Sequence, residues 1–144
     1  MRSIQTEIII NAPLARVWSV LTDFAQYPQW NPFIREIAGE PREGGALRVT
    51  LGPPDGKTMT FKPRVTIFRP EQEFAWLGTL GFAWVFGGEH FFRLSATPDG
   101  STRFVQGEKF GGALMPLLWK NLDSDTKGGF EAMNQAIKQR AEAD

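Results

Sequence analysis

Residues 9–33 join three local patterns in an order that restricts the fold of the whole chain. An alternating apolar run leads to Pro13, which suits the start of a helix because its missing N–H would have no partner there. Apolar residues then recur at helical spacing and form one stripe, namely Leu14, Val17, Trp18 and Leu21. Pro28 ends the helical part, and Pro32 pushes Asn31 into an extended corner. The segment predicts a strand, two short helices and a sharp return into a strand.

From there to about residue 112 the pattern is typical of antiparallel strands joined by tight turns. Turn signals stand at 43–45, 53–56 and 98–100, where a glycine after an acidic residue supplies the positive φ that hairpins need. Between the turns apolar and polar residues alternate, which gives each strand one buried and one wet face. Gly87 and Gly88 interrupt one such run and predict a bulge or a strong bend.

A long C-terminal helix is predicted from about residue 116 to residue 140. Its stripe keeps spacings of three and four throughout: Met115, Trp119, Leu122, Thr126, Phe130, Met133 and Ile137. Gly128 and Gly129 lie inside this helix although each costs about 1 kcal/mol relative to alanine. The two glycines permit a kink or a close approach to the sheet. Thr126 interrupts the apolar stripe, as expected of a helix that borders a cavity.

These elements predict one α+β domain over residues 1–144 with the order β-α-α-β6-α. A curved antiparallel sheet of about seven strands would wrap around the long helix, which is the element available to cover its apolar face. Strong curvature would lift the middle of the sheet off the helix and leave an internal cavity. A domain of this length buries enough surface to fold without a metal or a disulfide.

Composition excludes several classes of function. The chain has no cysteine and one histidine, so it cannot build a usual zinc site or a two-histidine iron site. Its 16 basic and 16 acidic residues balance, and no basic run is present, which argues against nucleic-acid binding. No uncharged run is long enough for a membrane-spanning helix, and the N-terminus alternates like a strand rather than a signal peptide. We expect a soluble cytoplasmic protein without a metal or a cofactor, and the sequence indicates no oligomeric state.

Several segments together resemble the START/SRPBCC superfamily over nearly the whole chain. They are Ala12-Pro13 with Val17-Trp18, the corner Trp30-Asn31-Pro32-Phe33, residues 74–76, residues 88–94, residues 108–112 and the terminal helix around Phe130. This superfamily has the helix-grip fold and includes plant pathogenesis-related allergens and polyketide cyclase/dehydrase and lipid-transport domains. The resemblance implies a hydrophobic cavity between sheet and helix, entered near the hairpin ends and the start of the long helix. It implies no shared catalytic motif.

His90 and Glu108 are the candidate catalytic residues. His90, the only histidine, shares its strand parity with Phe92, and Glu108 shares its parity with Phe104 on the next strand. Because the two lie at equal distances on either side of the turn at 98–100, we expect them to face each other. Such a pair in an apolar cavity can transfer protons or hold a polar group of a ligand. It can equally be a structural pair that fixes the strand register.

Further residues are predicted to contact a ligand. Arg35 can bind an anionic head group, although an arginine at a sheet edge more often reaches solvent. Tyr27 and Trp30 can flank an opening at the first corner, or pack beneath the loop. The predicted lining of the cavity comprises Trp76, Phe92, Phe104, Gln106, Trp119, Leu122, Thr126 and Phe130. The aromatic residues among them would serve equally well as a plain core.

Three functions are compatible with this sequence. Our leading hypothesis is the binding or transport of a small hydrophobic molecule, such as a lipid, an isoprenoid or an aromatic polyketide-like compound. The second is an enzyme of the cyclase/aromatase or hydrolytic-lyase type that uses His90 and Glu108 as an acid–base pair. The third is a co-chaperone-like interaction module that presents the uncharged residues 79–88, with Phe82 and Trp84 as contacts.

Overall fold

The order of elements follows the predicted one. The computed structural model describes residues 2–52, 56–79, 87–113 and 115–143, with the backbone alone for 117–125. Within these residues the elements are β1 (Arg2–Ile10), α1 (Leu14–Thr22), a 3₁₀ turn (Phe24–Gln26), α2 (Tyr27–Trp30), β2 (Ile34–Gly39), β3 (Leu47–Leu51), β4 (Met59–Phe61), β5 (Arg64–Arg69), β6 (Glu73–Thr79), β7 (Gly87–Ala96), β8 (Thr102–Gly111) and α3 (Met115–Glu142). The α+β class and the long terminal helix are thereby confirmed.

The strands form two antiparallel sheets that meet at one corner. Five strands pair in the order β1-β8-β7-β6-β5, and three pair in the order β2-β3-β4. The N–H of Leu47 donates to the carbonyl of Pro63 and the N–H of Val65 donates to that of Gly45, both at 2.9 Å. These bonds join the start of β3 to the start of β5, so that the two sheets make one bent surface.

The described residues contain one strand more than the predicted seven. Lys62 and Pro63 separate β4 from β5. A proline has no N–H to donate to a neighbouring strand, and so it favours the end of one strand and the start of another. The division creates the corner at which the sheet turns.

Helix α3 packs on β1 and β8 of the five-stranded sheet and on α1 and α2. It also contacts the corner before β2, where the ring centroid of Phe33 lies 5.7 Å from that of Phe130. Gly129 permits this approach, because a Cβ atom at that position would collide with the Phe33 ring. The close approach at Gly129 is thus to a ring in the corner before β2, and an approach to the sheet itself stays a prediction; a Cβ at Gly128 would meet no described atom within 4 Å.

The core on the inner face of the five-stranded sheet contains a cluster of aromatic rings. Phe74, Trp76, Phe92 and Phe104 are fully buried or nearly so, with ring centroids of neighbouring pairs 5.4–6.1 Å apart. Tilted and edge-on pairs at such distances add about 0.5–1.5 kcal/mol each to the burial of their area. In this part of the molecule the rings contact one another.

Tyr27 provides an internal reporter of folding, because it is the only tyrosine in the chain. Its side chain is fully buried and its hydroxyl donates to the carbonyl of Leu21 at 2.5 Å. Burial raises the pKa of Tyr27 above its ordinary value of about 10. A raised folded-state pKa means that the contribution to stability is complete below the unfolded pKa and is lost as the pH rises beyond it.

We therefore expect stability to fall above about pH 10, with phenolate absorbance appearing only as the fold is lost. Absorbance and far-ultraviolet circular dichroism recorded in one alkaline titration measure this. The Tyr27→Phe variant, which has no phenol to ionise, should lose less stability over the same pH range. Phenolate absorbance that rises near pH 10 while the dichroism remains native would contradict the expectation.

Candidate functional site

The candidate site is a row of three side chains across β6, β7 and β8. Trp76 pairs with His90, and His90 pairs directly with Glu108. Side chains of directly opposite residues lie on the same face of a sheet, and Trp76 and His90 are buried on the face toward α3. The predicted opposition of His90 and Glu108 is therefore present in the strand register.

His90 lies inside an aromatic cage. Only 1% of the residue is exposed, and its ring centroid is 4.8 Å from those of Trp76, Phe92 and Phe130. The ring stacks on Trp76 at an interplanar angle of 29°. Trp76 and Phe92 hold it from neighbouring strand positions and Phe130 from the helix, so that the imidazole has one defined orientation.

Glu108 contacts the caged His90 and is itself partly exposed to solvent. Its Oε1 atom lies 3.4 Å from Nδ1 of His90, and 20% of its side chain is exposed, against 2% for His90. The residues on either side of it with the same parity, Gln106 and Phe110, are buried. A carboxylate that is partly exposed in an otherwise buried row can reach a molecule that does not touch the histidine.

Gly88 makes room for the carboxylate. It precedes His90 by two positions on β7, and a Cβ atom there would collide with Oε2 of Glu108. The predicted bulge at Gly87 and Gly88 is wrong, since both residues pair in regular register with β6 and β8. The absence of a side chain at Gly88 leaves space for Glu108 on the neighbouring strand β8.

A buried hydrogen-bond chain continues from the other nitrogen of His90. Its Nε2 lies 2.9 Å from Oε1 of Gln106, and Nε2 of Gln106 donates to Oδ1 of Asn134 at 2.8 Å. Nδ2 of Asn134 donates to the hydroxyl of Thr6 at 2.8 Å. Gln106 was a predicted site residue, whereas Thr6 and Asn134 were missed. The sequence did contain a signal for both residues. Thr6 is a polar residue on the apolar parity of β1, and Asn134 is a polar residue beside the apolar stripe of α3.

The remaining aromatic predictions fall in the packed core. Phe104 contacts Phe92 with ring centroids 5.9 Å apart, and Phe130 contacts both Phe33 and His90. Trp76, Phe92 and Phe130 contact the candidate pair directly through His90, and Phe104 lies behind Phe92. A ligand contact by Phe104 stays a prediction.

Tyr27 and Trp30 lie on α2 and Arg35 lies on β2, outside the row of Trp76, His90 and Glu108. The rings of Tyr27 and Trp30 contact each other with centroids 5.1 Å apart. Trp30 borders a surface cleft of about 300 Å³ between α1, α2 and the end of α3. Its indole N–H is buried and has no hydrogen-bond partner among the residues that the structure describes. Arg35 is half-buried on β2, at the irregularity where the register with β3 shifts. Their roles as ligand contacts stay predictions.

Part of the predicted cavity wall lies outside the described residues. This applies to the side chains of Trp119 and Leu122. Residues 80–86 of the predicted interaction surface, with Phe82 and Trp84, also lie outside the described residues. Thr126 is half-buried on α3. The internal cavity and the interaction surface at 79–88 therefore stay predictions.

Two further properties bear on the class of site. Within the described residues, no three histidine, aspartate or glutamate side chains lie close enough together to hold a metal ion. None of the helices, over the part of the chain that is described, is long and apolar enough to span a membrane.

Solved structures share this fold. The ZhuI aromatase/cyclase from Streptomyces sp. R1128 is 18% identical, with a TM-score of 0.78, over 98% of this chain and 93% of that one. A START superfamily protein from Mycobacterium smegmatis is 20% identical, with a TM-score of 0.76, over 97% of both chains. A protein from Thermus thermophilus is 17% identical, with a TM-score of 0.75, again over 97% of both chains. At these identities the likeness is one of fold.

No curated protein matches the sequence. The family model described as polyketide cyclase/dehydrase and lipid transport matches residues 1–142, which is nearly the full length. The likeness of fold to a START superfamily protein and to an aromatase/cyclase agrees with this match. The chain is therefore a member of the polyketide cyclase/dehydrase and lipid transport family.

Proposed function

We propose that this protein binds a small hydrophobic molecule that carries a neutral hydrogen-bond donor such as a hydroxyl group. The apolar part of the molecule lies beside the row of Trp76, His90 and Glu108, at its partly exposed end. The hydroxyl group reaches Glu108. Family membership supports a small-molecule ligand, and the chemistry of the Trp76–His90–Glu108 row supports the choice of its polar group.

The partly exposed carboxylate of Glu108 carries this proposal. A carboxylate does not stabilise a packed core, because burying an unpaired charge is costly. Here the charge contacts a buried imidazole on one side and has 20% of its side chain exposed on the other. A carboxylate accepts hydrogen bonds from hydroxyl groups, and it repels an anionic head group. Fatty acids are therefore weaker candidates than alcohols, phenols or enols.

The first test is a screen of matched compounds by native mass spectrometry and thermal shift. Each pair contains a hydroxylated isoprenoid or fused-ring compound and its parent hydrocarbon. A ligand at 100 times its Kd stabilises the folded state by about 2.7 kcal/mol, which raises the Tm of a domain of this size by roughly 5–10 °C. Equal shifts for both members of every pair, or none at all, would contradict the proposal.

The Gly88→Ala variant tests the role of the carboxylate without removing it. The added methyl group displaces Oε2 of Glu108, so the hydroxylated compound should lose affinity by about tenfold or more, the value of one hydrogen bond to a charged group. The parent hydrocarbon should bind as before. Gly111→Ala on β8 is the matched control, because its new methyl group meets no atom of the described residues within 4 Å.

Acid–base catalysis of the cyclase type is the second candidate function. It is favoured by the 3.4 Å contact between Nδ1 of His90 and Oε1 of Glu108, through which a proton taken from a ligand can be held and returned. Contacts of this kind are often long in the absence of substrate and shorten when it binds. Bound compounds that change in mass or in isomeric form during incubation would support catalysis, and recovery of every compound unchanged would argue for binding alone.

A further inference from the structure

The hydrogen-bond chain behind His90 has a fixed direction. It ends on the backbone carbonyl of Gln106, which can only accept, so the hydroxyl of Thr6 donates its single proton there at 3.0 Å. Having no second proton, Thr6 accepts from the amide nitrogen of Asn134. The carbonyl oxygen of Asn134 then accepts from the amide nitrogen of Gln106.

A second backbone carbonyl, that of Phe130, fixes the orientation of the Gln106 side-chain amide. Nε2 of Gln106 lies 3.4 Å from the carbonyl oxygen of Phe130, so that the NH₂ group of Gln106 faces two acceptors, on Asn134 and on Phe130. The carbonyl oxygen of Gln106 must then face His90, at 2.9 Å from Nε2. Thr6, Gln106 and Asn134 are all at least nine-tenths buried. Reversing the side-chain amide of Gln106 or of Asn134 would therefore leave buried donors and acceptors unpaired, which lowers the stability of the fold.

From this direction we infer that Gln106, held by Asn134 and Thr6, fixes the neutral ring of His90 as the tautomer with its proton on Nε2. Nδ1 is then the ring nitrogen without a proton in the neutral ring, and it faces Oε1 of Glu108. Gln106, Asn134 and Thr6 are positioning residues, since they act on a ligand only through His90 and Glu108. That effect on a ligand rests on the proposed function, whereas the tautomer exists without one.

The assignment is unusual because a carboxylate beside an imidazole ordinarily attracts the proton to the nitrogen that it faces. Here Glu108 faces Nδ1, yet the amide chain holds the single proton on Nε2. The result is a pair with room for one further proton between Nδ1 and Oε1, at the exposed end of the row.

Nuclear magnetic resonance of the uniformly ¹⁵N-labelled protein tests this directly. Because His90 is the only histidine, a long-range ¹H–¹⁵N spectrum contains a single imidazole spin system. At alkaline pH, where the ring carries one N–H, we expect Nε2 to give the shift of a protonated nitrogen and Nδ1 that of an unprotonated one. The reverse assignment in the wild-type protein overturns the inference whether or not any ligand is ever found.

Two variants identify which neighbour controls the tautomer. Gln106→Leu removes the acceptor at Nε2, so the proton should move to Nδ1 and donate to Glu108, exchanging the two nitrogen shifts. Glu108→Gln leaves the amide chain intact, and the proton should stay on Nε2. A proton that stays on Nε2 in Gln106→Leu, or moves in Glu108→Gln, overturns the role of Gln106. If Gln106→Leu does not fold, the wild-type and Glu108→Gln spectra decide the question.

Discussion

Replacement of Phe92 by alanine should lower the free energy of unfolding by about 3–5 kcal/mol, the usual cost of deleting a buried phenylalanine ring. Phe92 lies at the centre of the aromatic core and its ring neighbours are those of Phe74, Trp76, His90 and Phe104. The cost has two parts, the lost burial of the ring and the hole left among neighbours that cannot close over it. Urea denaturation followed by circular dichroism measures it.

The size of this loss also distinguishes a packed core from a cavity wall at this position. A ring that borders an empty cavity has fewer neighbours to lose, and its removal costs less. A loss under about 1 kcal/mol would place Phe92 beside open space and contradict the packed core. Ile9→Ala is the control for an apolar truncation outside the core: Ile9 is 44% exposed on β1, and its replacement should change stability by no more than about 0.5 kcal/mol.

Local periodicity was sufficient to predict most of the elements and the pairing of His90 with Glu108. Side chains alternate strictly along a strand, and the register of a hairpin follows from the position of its turn. The turn at 98–100 therefore determined which residues of β7 and β8 would meet. The stripe from Met115 to Ile137 predicted α3 in the same way, because a helix repeats at a regular spacing.

The hydrogen-bond chain of Gln106, Asn134 and Thr6 behind His90 could not be predicted from such patterns. Asn134 and Thr6 are 128 positions apart in the sequence, and their contact depends on how far α3 slides along β1. Periodicity indicates which face of each element is buried, but it does not indicate which residue of one face opposes which residue of another. The buried side chains of Thr6 and Asn134 were visible only as polar residues at apolar positions.

Glycines and prolines were recognised as interruptions, but their roles depend on neighbours from other elements. Gly88 was predicted to mark a bulge or a bend, and the structure shows that it makes room for the carboxylate of Glu108 on β8. Pro63 was not recognised as the end of a strand, and its carbonyl joins the two sheets by accepting from Leu47. In both cases the relevant contact is made by a residue remote in the sequence, which a local pattern cannot contain.

Gly107→Ala should lower the free energy of unfolding by about 2–3 kcal/mol, toward the upper end of the cost of overpacking a filled site. Gly107 lies on the outer face of the sheet beneath the ring of Phe91, which is 2% exposed because Arg93 covers it at 4.1 Å. A Cβ atom at Gly107 would stand 2.5 Å from Cζ of Phe91 and 2.6 Å from the backbone carbonyl oxygen of Ile4. Arg93 packs over the Phe91 ring, and the carbonyl of Ile4 belongs to the β1 backbone. Moving either neighbour away from the new methyl group therefore costs stability.

The Phe91→Ala background separates these two collisions. Without the ring, Gly107→Ala meets only the carbonyl of Ile4, so the cost of adding the methyl group should fall, and the difference between the two backgrounds is the coupling energy of the pair. Gly111→Ala, on the same strand with no atom of the described residues within 4 Å of the new methyl group, should leave stability within about 0.5 kcal/mol. Equal costs for Gly107→Ala with and without the ring would show that Phe91 moves aside freely, and that β1 alone requires a glycine at this position.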